Sequence, residues 1–455
     1  MASTTYLQWQ HTTAGNRNTW TMSMWVKLSK LGDQLPLFSS ASDTINQDMA
    51  FIQADGTLRW WTYQSDAYAG QLKTNRVFRD LNAWYHLVFV FDSTNSTADD
   101  RMKIYVNGVQ ETSFATRANP NQNLNSLWNG TLWRNIGHDS SGGYTDEFDG
   151  LMSHIHFVDG TAYDASYFGE TDTTTGEWKI KTSPSVTYGN NGFFILKDGN
   201  SVTDQSGNGN NWTVGGGTLT NTEDNPSNVF ATLNPLVYHD TTYGVPHYQH
   251  GNTRLSWQSG ASHFMKAWST LGANKGKYYF ECKNYSSTNF GFIGIGDATG
   301  ANSSNGYIGQ GSDGAYTYGF YSDNGNYFNN GSSIAYGNPW DSSGAVAGCA
   351  VDLDNNKLYF SVNGVWQNNG DPTSGSTGTG AISIADPSTI NGGFYMFGVT
   401  RPNTSTNGYI DVNFGNGYWG YTQISSAGTN ASGNGIFEYD VPTGFTALST
   451  KGLNL

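Results

Sequence analysis

The chain has 455 residues, a net charge of −14 and only 13% charged side chains, beside 15% aromatics and 57 glycines. That length favours two or three domains over one. The acidic balance, with no basic stripe, excludes nucleic acid as a partner, because phosphate needs clustered Lys and Arg; the aromatic content excludes an acidic disordered tail.

No apolar run approaches the ~20 residues that span a bilayer. The first residues, MASTTYLQWQH, lack the basic start and apolar core of a signal peptide. With Cys282 and Cys349 as the only cysteines, folding in a reducing cytoplasm with both thiols free is expected. The sequons at Asn211 and Asn330 are then products of an Asn-rich chain.

Helical periodicity is almost absent, and strand patterns recur between turn residues every ~8–12 positions. In 21–28, Met22, Met24, Val26 and Leu28 share a face. The run 86–91 is apolar on both faces, as in a buried central strand. In RMKIYVNGVQ, 101–110, Met102, Ile104 and Val106 oppose Arg101, Lys103 and Tyr105. Asn107-Gly108 follows, the favoured pair for a type I′ hairpin. Residues 181–255 are turn-rich and weakly periodic, and read as an extended connector with a strand near 192–196 that belongs to the first domain. Tyr278, Phe280 and Cys282 alternate with Lys277, Tyr279, Glu281 and Lys283. KLYFSVNGVWQ, 357–367, repeats the apolar strand and the Asn-Gly turn at Asn363-Gly364.

Each VNGV thus ends the second strand of one antiparallel pair and begins the next, in the central meander of its domain. Asn107 and Asn363 are expected to be turn formers that tolerate glycine and reject valine. Outside this element the halves do not align, so no recent duplication is indicated. The expected fold class is all-β: two antiparallel β-sandwich (jelly-roll) domains, 1–180 and 256–425, joined by the 181–255 connector, with a C-terminal extension at 426–455.

Chemical motifs are sparse. A retaining glycosidase needs two carboxyl groups about 5–5.5 Å apart. Glu147-Phe148-Asp149 begins the Glu-x-Asp-x-x-Glu strand motif, but position 152 is Met. No enzyme is expected. Gly309–Gly314 spells GxGxxG but precedes a strand-like run, not the helix a dinucleotide site requires. His154 and His156 share a strand face with no third ligand near in sequence, and His247-x-x-His250 sits in the connector, so both pairs read as packing or surface residues. Cys282 and Cys349 fall in apolar patterns, as buried inert thiols do.

The order TMSMWVKL, WYHLVFVFD, KIYVNGV, FDGLMSHIHFVDGTAYDASYFGE resembles a laminin-G-like or concanavalin A-like jelly roll over residues 1–180. GKYYFECK, FGFIGIGDA, YTYGFYSDNGNYFNNG, AVAGCAVDLDNNKLYFSVNGVWQ and FYMFGVT resemble a SPRY-type domain over 256–420. Their succession, with DQSGNGNNWT and FATLNPL between and VPTGFTALSTKGLNL at the end, resembles large structural proteins of tailed bacteriophages. The resemblance implies a virion surface or appendage protein made in the host cytoplasm: a tail fibre, head fibre or capsid component. Its partners would be other virion proteins and a host surface glycan or receptor, and it would be a homo-oligomer. Purely structural decoration and a polysaccharide-degrading enzyme are the alternatives. The laminin-G likeness also implies calcium at loop aspartates, with Asp92, Asp99, Asp100, Asp139 and Asp204 as candidates; turn formation explains the same residues. The SPRY likeness implies partner binding through loops at one end. Tyr316, Tyr321, Tyr327 and Trp340 are the ligand candidates there, with Trp340, between Pro339 and Asp341, expected to be exposed.

Overall fold

The computed structural model describes residues 4–81, 83–141, 147–173, 176–197, 201–237, 247–256, 264–285, 291–302, 306–402, 408–420 and 422–454. Among the described residues the chain is all-β apart from short turns of helix, and it forms two compact units, Met1–Asn221 and Thr222–Leu455. Each unit holds two large sheets around its own core, antiparallel except where the last strand of unit 2 joins in parallel, as a multi-domain β-sandwich jelly-roll protein does.

Unit 1 contains β1 (Tyr6–Gln10), β2 (Thr19–Leu28), β3 (Leu35–Asp43), β4 (Asn46–Ile52), β5 (Thr57–Gln64), β6 (Ala67–Val77), β7 (Trp84–Asp92) and β8 (Met102–Val106). It continues with β9 (Val109–Gln110), β10 (Phe114–Ala118), β11 (Trp133–Ile136), β12 (Gly150–Asp159), β13 (Gly169–Thr171), β14 (Trp178–Ile180), β15 (Phe193–Ile195) and β16 (Thr213–Gly216). One sheet has the order β10-β6-β5-β4-β3-β11-β1-β16, the other β15-β12-β2-β7-β8-β9. Between them aromatic rings interlock. Trp20 stacks on Phe91 at 5.5 Å and meets Trp60 edge-on at 5.6 Å. Met22, Met24, Val26 and Leu28 are all buried in this core, as alternation predicts.

Unit 2 contains β17 (His247–Gln249), β18 (Arg254–Ser256), β19 (Phe264–Ala273), β20 (Lys277–Asn284), β21 (Phe292–Gly296), β22 (Tyr318–Tyr321), β23 (Asn326–Asn329), β24 (Ser332–Ala335) and β25 (Val346–Asp352). It continues with β26 (Lys357–Val362), β27 (Val365–Trp366), β28 (Ile382–Ser383), β29 (Tyr395–Pro402), β30 (Tyr409–Asn413), β31 (Tyr418–Trp419), β32 (Thr422–Gln423) and β33 (Thr446–Ala447). One sheet runs β17-β18-β30-β20-β25-β26-β27, with β28 and β33 added at β26 and β20; the other runs β19-β29-β21-β22-β23-β24. Cys282 and Cys349 lie buried in this core as free thiols.

The two VNGV hairpins are built alike. Asn107 and Gly108 have φ of 48° and 81°, and Asn363 and Gly364 have 47° and 79°. These are the positive values of a type I′ turn. Asn107 Oδ1 accepts the His86 N–H at 2.8 Å, and Asn363 Oδ1 accepts the Val346 N–H at 2.9 Å. Glycine would therefore keep the turn but lose this side-chain bond, which qualifies the expected tolerance. A Cβ on Gly108 would meet the Trp178 ring at 2.4 Å, and one on Gly364 the Tyr439 ring at 2.5 Å. In both units an aromatic from a later segment lies on the turn glycine. The expected central position is corrected: the strands beyond the turns, β9 and β27, are only two residues long and end their sheets.

Residues 181–255 divide between the units. β15 pairs with β12, and β16 with β1, inside unit 1. Phe230 bridges to Ser449, Leu233 bridges to Ser269, and β18 pairs with β30 inside unit 2. Residues 198–200 and 238–246 of this stretch lie outside the described residues. The C-terminal segment is equally built in: Phe437, Val441 and Phe445 pack on Tyr279 and Tyr359 of β20 and β26. The buried Glu281 carboxylate holds it, accepting the N–H groups of Glu438 and Tyr439, each at 2.8 Å.

In unit 1 the covering segment rests on two buried histidines. Trp178 Nε1 donates to His86 Nδ1 at 3.0 Å, so His86 Nε2 carries the proton and donates to Ser23 Oγ at 2.9 Å. His156 stacks on Phe194 at 3.9 Å and shares a 2.8 Å hydrogen bond with the Tyr188 hydroxyl. Strict alternation at His154 and His156 fails: β12 bulges there and His154 has φ 46°, though its ring still reaches Phe194. Burial pulls His86 down to about 3 and His156 well below the ordinary range. Because the folded values are depressed, this stability is complete above pH ~6.5 and falls as the unfolded chain alone takes up protons. Acidifying from pH 7 to 5 is expected to cost His86→Gln about 2 kcal/mol less than the wild type. Denaturant midpoints at the two pH values check this, and equal losses would refute it.

Candidate ligand-binding face

The expected ligand residues of unit 2 do not share a surface. Tyr316 and Tyr327 pack on the inner core, with Tyr327 edge-on to Tyr336 at 5.9 Å. Tyr321 lies on the opposite face of its sheet, stacked on Phe292 at 4.5 Å. Trp340 is 1% exposed, which corrects the expectation of an exposed ring. Its backbone N–H donates to the Ser322 carbonyl at 2.9 Å, and this tie draws the indole into the core beside Phe320.

The calcium candidates are engaged in turns, ion pairs and backbone bonds. Asp92 Oδ1 accepts from the Thr94 N–H at 3.2 Å and hydroxyl at 2.6 Å. Asp99 pairs with Arg117 at 3.1 Å and Asp100 with Lys103 at 3.0 Å. Asp139 accepts from the Ser141 N–H at 2.7 Å, and Asp204 from the N–H groups of Phe194, Ser206 and Asn210. Among the described residues no group of three His, Cys, Asp or Glu could hold a metal. Glu147 lies 3.6 Å from His138 Nδ1, and burial pushes the Asp149 carboxyl up. His250, at φ 54°, is pulled down to about 4 by burial.

A different face groups aromatic and polar side chains. The sequence of β5, TLRWWTYQ, splits its aromatics between two faces. Leu58 and Trp60 join the unit 1 core, while Arg59, Trp61 and Tyr63 point outward. Across the register, Met49 stands beside Trp61 and Gln47 beside Tyr63; Trp61 Nε1 donates to Gln47 Oε1 at 3.3 Å. The Arg59 guanidinium lies 4.7 Å from the Trp61 ring and 5.0 Å from Tyr68, and donates to the Tyr68 hydroxyl at 2.6 Å. On β11, Arg134 and Ile136 point inward, so Trp133 and Asn135 point outward beside Gln10 and Gln8 of β1. Trp133 and Tyr68 are each 49% exposed.

Trp133 and Tyr68 are four strands apart in the sheet order, about 19 Å at ~4.8 Å per strand. Between them run a cation on two rings and a set of planar amides. Trp61, Gln47 and Asn135 in this band are buried, so the rings open for stacking are those of Trp133 and Tyr68, with Arg59 and Tyr63 half-buried between them. Sequence reasoning missed it; the signal was the RWWTY alternation, which puts aromatics on both faces of one strand.

A family model described as the concanavalin A-like lectin/glucanases superfamily matches residues 2–166, within unit 1. No curated protein matches the chain. Among solved structures it is similar to a heptameric SAP-like pentraxin from Limulus polyphemus, at 18% identity, with a TM-score of 0.26, covering 35% of this chain and 71% of that one. It is similar to a human SPRY domain at 12% identity, with a TM-score of 0.25, covering 35% of this chain and 90% of that one. It is also similar to domain 4 of AbnA, an extracellular arabinanase from Geobacillus stearothermophilus, at 20% identity, with a TM-score of 0.25, covering 32% of this chain and 64% of that domain.

Proposed function

We propose that this chain is a β-sandwich binding protein that recognises glycan on the outer face of the eight-stranded sheet of unit 1. The observation that carries the reading is the pair of half-exposed rings, Trp133 and Tyr68, at the two ends of a band of Arg59, Trp61, Tyr63 and side-chain amides. Large exposed aromatics beside such polar groups are what a recognition surface requires and a solvated sheet face does not. The family match over 2–166 supports a carbohydrate-type scaffold. The succession of jelly-roll, SPRY-like and C-terminal motifs supports a virion surface or appendage of a tailed phage as the setting, with unit 2 as the candidate for docking to other virion proteins. Electron microscopy of labelled particles tests that setting; label absent from capsid, tail and fibre would end it.

On a glycan array the wild-type chain is expected to give discrete hits. Trp133→Ala and Tyr68→Ala are each expected to weaken the best hit about tenfold, some 1.4 kcal/mol. Unchanged affinity in both variants would remove this face from the account. Hydrolysis is the second reading, favoured by the adjacent acids Glu147 and Asp149, with Asp149 pushed toward its neutral form. Product release from host envelope glycans, abolished in Glu147→Gln, would support the enzyme over the binding protein.

A further inference from the structure

Arg134 lies in a row of inward-facing side chains across the eight-stranded sheet. The register places Trp9 beside Arg134, Arg134 beside Ser40, Ser40 beside Asp48, and Asp48 beside Thr62. Arg134 and Ser40 are 0% exposed and Asp48 is 1% exposed. Trp9, Trp128 and Phe157 enclose the guanidinium, with ring centres at 4.8, 5.8 and 5.9 Å. None of its three nitrogens meets a hydrogen-bond partner among the described residues, and neither do Ser40 Oγ or Trp128 Nε1.

The nearby acids do not meet it directly. Asp48 Oδ2 accepts the N–H groups of Leu127 and Trp128 at 2.7 and 2.9 Å; burial pushes its carboxyl up to about 6, while the Thr62 side chain and the Arg17 charge favour its ionised form. Asp159, whose charge acts on Arg134, spends Oδ1 on Asn16 and Asn129 and Oδ2 on Asn191. Burial pulls Arg134 down to about 9, so it still carries its charge at neutral pH. A buried guanidinium with no acceptor is strongly disfavoured. Whatever satisfies it must accept from Arg134 and Trp128. An anion there would be repelled by Asp159, whose charge acts on Arg134. Water accepts from both donors and can donate onward to Ser40.

We propose that ordered water beside Arg134 joins its guanidinium to the Asp48 carboxylate by way of Ser40, forming a water-bridged ion pair inside the sandwich. The pair would act as a register lock. A one-residue slip of β11 would turn Arg134 outward and Trp133 inward. Arg134 is therefore a positioning residue for the outer face, although the water site itself stands whether or not that face binds glycan.

The test has two arms, both on the full chain. In denaturant unfolding, Arg134→Met and Asp48→Asn are each expected to lower the midpoint, and the double variant to lower it by clearly less than the sum. Strictly additive shifts would overturn the proposal. The second arm needs no variant: a high-resolution crystal structure of the wild type after a bromide soak. Water density within hydrogen-bond distance of both Arg134 and the Ser40–Asp48 pair is the expected result. A bromide signal at the guanidinium, or a dry Arg134 contacted only by protein, would overturn it.

Discussion

Glu281→Ala is expected to cost unit 2 about 4 kcal/mol and to release the C-terminal segment, since each buried donor left unpaired costs about 1–3 kcal/mol. Four donors converge on this one carboxylate. Besides the Glu438 and Tyr439 N–H groups, the Tyr279 hydroxyl donates at 3.0 Å and Asn413 Nδ2 at 3.3 Å. Nothing else on β20 can replace the carboxylate, because its neighbours on that face are Tyr279, itself one of the donors, and Lys283, which pairs with Glu438. Glu281→Gln is expected to fall between wild type and Ala: its amide keeps one acceptor oxygen and turns an NH2 toward a donor. Hydrogen exchange should show 436–450 losing protection in the Ala variant. Protection equal to the wild type would contradict the clasp.

The second large effect belongs to the hairpin glycines. Gly108→Ala and Gly364→Ala are each expected to cost about 3 kcal/mol, combining left-handed strain of about 1–2 kcal/mol with displacement of a packed aromatic. The added methyl would collide with Trp178 in one unit and Tyr439 in the other. Gly32 and Gly344 supply the control. Their φ values are 88° and 89°, but nothing lies within 4 Å of an added Cβ. Alanine there should cost the strain alone. Thermal unfolding of the four variants separates the two contributions; equal losses at all four positions would show that the aromatic contacts contribute nothing.

The fold was legible wherever local chemistry decides it. The alternation in 21–28 and the Asn-Gly pairs each point to one conformation, and the structure adopts it. What escaped the sequence were contacts made across hundreds of positions. VNGV announces a turn, but not that Trp178 or Tyr439 will lie on its glycine. Glu281 reads as an outward polar residue of an alternating strand; only the returning C-terminal segment buries it. Trp340 follows a proline and precedes a polar turn, which suggests exposure, yet one backbone bond to Ser322 directs the ring inward. The aromatic crowding at 316–340 drew attention to unit 2, where the rings serve two different faces. The outer face of unit 1 assembles residues from β1, β4, β5, β6 and β11, so no contiguous motif announces it. Its one local trace was the double tryptophan of β5, where Trp60 fills the core and Trp61 the opposite face.

The most direct test of the central claim is a crystal structure of the chain soaked with the strongest glycan from the array. Sugar density across the outer face of the eight-stranded sheet, with a ring stacked on Trp133 or Tyr68, is the predicted result. Density confined to the Asp92–Asp100 turn, or to the surface around Tyr321 in unit 2, would contradict it.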